Sequence, residues 1–269
     1  MGKKLILVLG IVVAAGLGVV FWLYQPEAPE PEQVAVAPPP PPPPAAVTPP
    51  PPPLELHPLP PVEASATLEP LPDIEQSDSR YRQALAGLFS DKLVNRFFHS
   101  EHMIRRFVAT IDNLPRHEPL DKMMPVKPVG GAFLVERQAA GLIIAPANDQ
   151  RYVGYLKLMT MVEPRRLVDV YVRFYPLFQR AYRDLGYPEG FFNDRLIEAI
   201  DNLLETPDVA PPIALEQPKV LYTYADKSLE ARSSGQRIML RLGADNRAKA
   251  TQMLTAIRQE LLSRSPSGE

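Results

Sequence analysis

His99, Glu101 and His102 are the side chains whose type and spacing come nearest to holding a metal ion. Histidines three residues apart share one face of a helix. Zinc needs at least one further ligand, and His117 and Glu118 are the nearby offers. A metalloprotease helix instead places its histidines at i and i+4 with a glutamate beside the first. The spacing therefore reads as polar surface histidines. Asp169, Asp184, Asp194, Asp201, Asp226 and Glu230 supply carboxylates for another chemistry, since two converging acids can hydrolyse a glycosidic bond. Nothing in their spacing makes any two converge. Asp194 falls near a helix start, where the helix dipole explains a negative charge. The chain carries no G-x-S-x-G, no phosphate-cradling loop and no dinucleotide fingerprint. Without a cysteine it has no thiol nucleophile, thiolate metal site or disulfide. No catalytic residue, cofactor or metal ligand is assigned. What remains is a surface. Tyr171, Tyr175, Tyr182, Tyr187, Phe191 and Phe192 crowd one helix and its exit turn. Most belong to a core, but the turn over 186–192 can present flat apolar area to a partner or glycan. Arg180, Arg183, Tyr187 and Phe191 form the candidate partner-binding surface.

The layout that must carry this surface begins with a stem. Residues 5–24, LILVLGIVVAAGLGVVFWLY, hold no charge and no proline. Twenty residues at about 1.5 Å each span about 30 Å, the thickness of a bilayer's hydrocarbon core. Lys3 and Lys4 precede the run and the next basic residue is Arg80. The positive-inside rule then expects residues 1–4 in the cytoplasm and the rest outside it. Phe21, Trp22 and Tyr24 suit an interfacial belt. A cleaved leader is the rival reading, with a small-residue site at Ala14-Ala15-Gly16, but a secretory apolar core is about 7–15 residues and this run continues well past it. A lipoprotein anchor is excluded for want of a cysteine, and Ile6 stands where a myristoylation signal needs Ser or Thr.

Residues 25–76 read as a disordered proline-rich linker. The stretch from Pro26 to Gln76 holds 20 of the 33 prolines and eight acidic residues, with no basic one. Proline fixes φ and donates no hydrogen bond, so the runs Pro38–Pro44 and Pro49–Pro53 favour extended polyproline II. At about 3.1 Å per residue the stretch reaches on the order of 150 Å. No secondary structure is assigned to it, and His57 is expected to be solvated. From Ser77 onward the chain has 27 Lys+Arg against 23 Asp+Glu, a net of +4. So modest an excess is ordinarily a solvated face, and no nucleic-acid partner is expected.

Residues 77–269 read as one mainly helical (α+β) domain with a small β element. Helical spacing runs through Tyr81, Leu85 and Leu88, then from a cap at Ser90 through Leu93 and Phe97, then from Met103 to Ile111. Short strands are expected at 133–135 and 142–144, and another at 219–224. Asn148 is a candidate cap for a helix bearing Tyr152, Leu156 and Met159. The clearest helix covers about 164–185, with Leu167, Tyr171, Phe174, Phe178, Tyr182 and Leu185 in one stripe. Pro176 should kink it. A helix carrying Leu196, Ile200 and Leu203 follows. Ser233 and Gln236 fit a capping box, and a last helix carries Ala250, Met253, Ile257 and Leu261.

The segment from about Arg151 to the end resembles an uncharacterised bacterial family, a domain of unknown function. The residues that carry the likeness are Tyr175-Pro176-Leu177, Ala181-Tyr182, Gly186-Tyr187-Pro188 and Phe192-Asn193-Asp194-Arg195-Leu196. They continue with Ile200-Asp201, Leu203-Leu204, Thr206-Pro207, Tyr224-Ala225-Asp226, Leu229-Glu230 and Leu240-Arg241-Leu242-Gly243. The resemblance implies a single-pass inner-membrane protein of Gram-negative type and transfers no activity. The layout of anchor, spacer and domain also resembles envelope adaptors of the TonB and TolA type, in architecture only. The expected function is a non-enzymatic cell-envelope protein that presents its domain to a periplasmic or envelope partner. The alternative is a protein that binds or hydrolyses cell-wall glycan.

Overall fold

The computed structural model describes residues 54–60, 69–117, 119–120 and 122–265. The expected stem at 5–24 and the proline runs lie outside the described residues. Among the described residues, no helix is long and apolar enough to cross a membrane. A single turn of 3-10 helix at Ile74–Gln76 leads into three helices: α1 (Ser77–Phe89), α2 (Asp91–Phe97) and α3 (Met103–Asn113). Strands β1 (Val135–Gln138) and β2 (Gly141–Ile144) follow, then α4 (Asn148–Thr160), α5 (Pro164–Asp184) and α6 (Phe192–Leu204). Strands β3 (Ala214–Glu216) and β4 (Thr223–Tyr224) precede α7 (Lys227–Glu230), α8 (Ser234–Arg241) and α9 (Ala244–Arg264). The fold is mainly helical with a small sheet, as the sequence implies.

Helix α5 is the axis of the core. Val168, Tyr171, Phe174, Phe178, Ala181 and Tyr182 recur every three or four residues and are all buried, as a one-sided helix requires. Pro164 opens it, where a missing N–H costs nothing. The helix runs on through Pro176 to Asp184. Leu185, expected at the end of the stripe, lies past the helix end and is exposed. Helices α1, α3, α6 and α9 pack around this axis. Phe178 sits at the centre, with the Tyr171, Phe192, Tyr81 and Phe107 rings at centroid distances of 5.4, 5.8, 5.7 and 5.2 Å.

The sheet is antiparallel throughout, in the order β1-β2-β3-β4. Its register pairs Val135 with Ile144, Leu142 with Leu215, and Leu215 with Tyr224. A satellite core of Ile213, Leu215, Tyr224, Leu229 and Leu240 ties it to α7 and α8. The expected strand at 219–224 is real only at Thr223–Tyr224. Val220 and Leu221, which suggested it, are exposed in the connection between β3 and β4. Strand β3 has only three residues, too few for an alternating pattern to show.

The α3 helix start is capped from a distance. The α3 start takes the Asp78 carboxylate, which accepts the N–H groups of His102 (2.7 Å) and Met103 (2.8 Å). Ser90 does occupy the cap position of α2, but its hydroxyl makes no capping bond. Asn148 begins α4 rather than capping it. Its buried amide accepts from Leu134 N–H and donates to Ala145 C=O, fastening the hairpin to the helix. Ser233 does cap α8 by accepting from Gln236 N–H. The Gln236 amide nitrogen donates to Asn202 C=O, tying the cap to α6.

Burial pushes the phenols of Tyr81, Tyr171 and Tyr224 above their ordinary 10.0, Tyr224 to about 12, and Tyr182 moves likewise to about 12. The fold therefore holds their neutral forms. Their contribution is complete below the unfolded pKa and is lost as pH rises from about 10 toward 12, because the unfolded chain then releases protons that the folded one keeps. A urea midpoint measured at about pH 11 is expected to lie well below the midpoint at neutral pH.

Candidate functional site

A concavity of about 740 Å³ opens at the end of α5. One wall is the outer face of α6, which presents Asp194, Glu198, Asp201 and Glu205 at spacings of four, three and four. A second is the end of α3 with Asp112 and Arg116, and a third is the turn bearing Tyr187 and Phe191. Leu54, Leu56 and His57, from the stretch read as linker, make the fourth.

The turn is held by specific contacts. Buried Gln179 accepts from Phe192 N–H (2.8 Å) and donates to Gly190 C=O (2.6 Å), which fixes Phe191 between them. The Tyr187 ring stacks on Tyr182 at 4.6 Å, tilted by 19°. A Cβ on Gly190 would come within 2.9 Å of the Tyr182 ring and 3.1 Å of the Tyr187 Cβ. Only glycine allows the backbone this close. Gly186, at φ +118, turns the chain out of α5.

Asp112 is the hub beneath the cleft. It is 4% exposed. Its Oδ1 accepts from Arg116 Nη2 and Arg195 Nε, each at 3.1 Å, and its Oδ2 accepts from the Tyr187 hydroxyl at 3.2 Å. The Arg116 Nη2 also donates to the Tyr187 hydroxyl at 2.6 Å, which closes the ring of contacts. Arg195 reaches on to Glu198 at 2.7 Å. A buried carboxylate with two guanidiniums and a phenol on it is a structural knot.

The other carboxylates are similarly engaged. Asp169 pairs with Arg264, Asp184 with Arg105 and Arg180, and Asp201 with Arg258. Asp226 caps α7, and Glu230 accepts from Tyr224 N–H and from Arg237. Asp194 accepts from Leu56 and His57. Hydrogen bonds from Ser228, its side chain first and then its N–H, lower the Asp226 pKa. Of the histidines weighed as metal ligands, His102 has its backbone in the cap of α3 and His99 lies beside Arg106 and Lys127. Burial and those two cations lower the His99 pKa. Among the described residues, no three His, Asp or Glu side chains are grouped to hold a metal ion.

Of the four residues read as a partner surface, Tyr187 and Phe191 line the cleft. Arg180 and Arg183 do not. Arg180 is paired with Asp184 beside residues 72–76, and Arg183 is exposed elsewhere on α5. Asp112, Arg195 and His57 belong to the site and went unrecognised. The one local signal was the spacing of Asp112 and Arg116 at i and i+4. His57, expected to be solvated, has its Nδ1 3.0 Å from Asp194 Oδ1. The cleft thus shows five carboxylates against two guanidiniums, with aromatic and leucine edges.

No curated protein and no solved structure matches the chain. The description that does match, "Protein of unknown function (DUF3014)", covers residues 103–258, so it begins at α3 rather than at Arg151. It takes in Asp112, Arg116, Tyr187, Phe191 and all of α6, and spans more than half of the chain. On that match, the chain belongs to the DUF3014 family.

Proposed function

We propose that this is a non-enzymatic envelope protein, anchored by residues 5–24, whose domain offers the α6 cleft to an envelope partner. The observation that carries the reading is the state of the acidic side chains. The six carboxylates weighed for hydrolysis, Asp169, Asp184, Asp194, Asp201, Asp226 and Glu230, are each already ion-pair or backbone hydrogen-bond partners within the fold. General acid–base work needs a group free to exchange a proton in place. The cleft instead suits recognition, with fixed aromatic edges at Tyr187 and Phe191 and solvent-facing carboxylates at Glu198 and Glu205. The apolar 5–24 run and the proline-rich stretch after it supply an anchor and a reach.

Fusing alkaline phosphatase after Glu269 tests the placement. The enzyme is expected to be active, and the protein to stay with membranes through an alkaline wash. An inactive fusion, or protein that washes free, contradicts the reading.

A further inference from the structure

The segment Leu54–Pro60 is bound to the head of α6 chiefly through its backbone. Asp194 accepts the N–H groups of Leu56 (3.0 Å) and His57 (2.8 Å). Asn193, fully buried, donates its amide to His57 C=O at 2.7 Å. The Tyr171 hydroxyl donates to Asn193 Oδ1 at 3.1 Å and so aims that amide. Two side chains add to this: His57 Nδ1 lies 3.0 Å from Asp194 Oδ1, and Glu55 accepts from the Tyr175 hydroxyl at 3.4 Å. Leu54 and Leu56 are 85% and 74% exposed, and Leu59 is the residue of the segment that packs on the main core. No residue of the segment is itself buried. Buried Asn193 and half-buried Asp194 together read two successive N–H groups and one carbonyl, which receives a segment bent at Leu56 and His57, with Leu59 and the prolines beside it setting preference. Proline flanks suit this, since they restrict the free segment and so lower the entropic cost of holding it.

We propose that the Asn193–Asp194 head of α6 is a peptide-segment-binding site, filled here by the chain's own Leu54–Pro60 and able to take the same segment from a second copy of this chain. Every contact made in cis is available in trans, so exchange sacrifices none of them. The eight residues 61–68 that join the segment to Glu69 make the cis form the resting one, through a high effective concentration. Exchange of an identical element between protomers is a low-cost route to a dimer. The inference does not depend on the envelope reading.

Two full-length variants in detergent micelles test it by complementation. Leu56→Pro with His57→Pro removes both N–H donors and leaves the site empty. Asp194→Ala destroys the site and leaves the segment free. Mixed, the two are expected to form a one-to-one pair by sedimentation and co-purification, at least about 10-fold tighter than either variant or the parent chain self-associates. A mixture that stays monomeric overturns the proposal, as does equal self-association by the Asp194→Ala variant alone. Circular dichroism should show both variants folded. If Asp194→Ala is not folded, Asp194→Asn replaces it, because one amide N–H then faces a backbone N–H and should release the segment just as well.

Discussion

Replacing Phe178 by alanine should cost the domain about 3–5 kcal/mol, the range for a large aromatic lost from a core that cannot collapse. Phe178 is 1% exposed and touches rings from α1, α3, α5 and α6. Each edge-on or stacked pair adds about 0.5–1.5 kcal/mol beyond area burial, and all are lost together. The cavity would be lined by rings that α5 and α6 hold from opposite sides, so none can swing in to fill it. A domain of this size loses roughly 2–4 °C in Tm per kcal/mol. Thermal unfolding should therefore come about 10 °C earlier. The contrast is Leu185→Ala just past the end of α5, where the side chain is 43% exposed and the midpoint should barely move.

Asp112→Ala should be nearly as damaging, for a different reason. It deletes no large volume, but it leaves Arg195, whose side chain is only 12% exposed, with the solvent-exposed Glu198 as its one remaining carboxylate. Breaking one side of a buried ion pair costs about 3–5 kcal/mol where the remaining charge is stranded, and Glu198 offsets part of that. The Tyr187 hydroxyl and Arg116 lose their shared acceptor as well. The loss should be partly relieved by adding Arg195→Met, which removes the stranded charge while filling similar space. A double-mutant cycle by urea unfolding reads this directly. If Asp112→Ala and Arg195→Met turn out additive, the hub is not a coupled unit.

Sequence and structure agree wherever burial repeats at helical spacing. The α5 stripe from Val168 to Tyr182 and the Leu196, Ile200 pair of α6 declare themselves because one face of each helix is covered along its whole length. Agreement stops where a contact joins residues far apart in the chain. Asp112 meets Arg195 across 83 positions and Tyr187 across 75, and nothing local in the sequence records those meetings. Asp78 caps α3 from 24 residues away, where the local candidates, Ser90 and Asn148, make other contacts or none.

Leu54–Pro60 is the instructive case. Proline density implies chain without internal hydrogen bonds, but such chain can still be bound from outside, as Asp194 and Asn193 bind the bent segment here. The Val220-Leu221 pair errs the other way, being apolar in type and solvent-facing in place. Apolar composition alone does not choose between a strand and a loop when no partner strand is specified.

The account's centre is that the α6 cleft is where a partner sits. A photo-crosslinking amino acid placed at Phe191 of the full-length protein, in the cell, tests this most directly, with the same probe at Arg183 as the off-cleft comparison. The account predicts one dominant protein adduct from position 191 and none from position 183. Cell-wall fragments captured at 191 would turn the reading to glycan binding. The same adduct from both positions, or none from either, would contradict it.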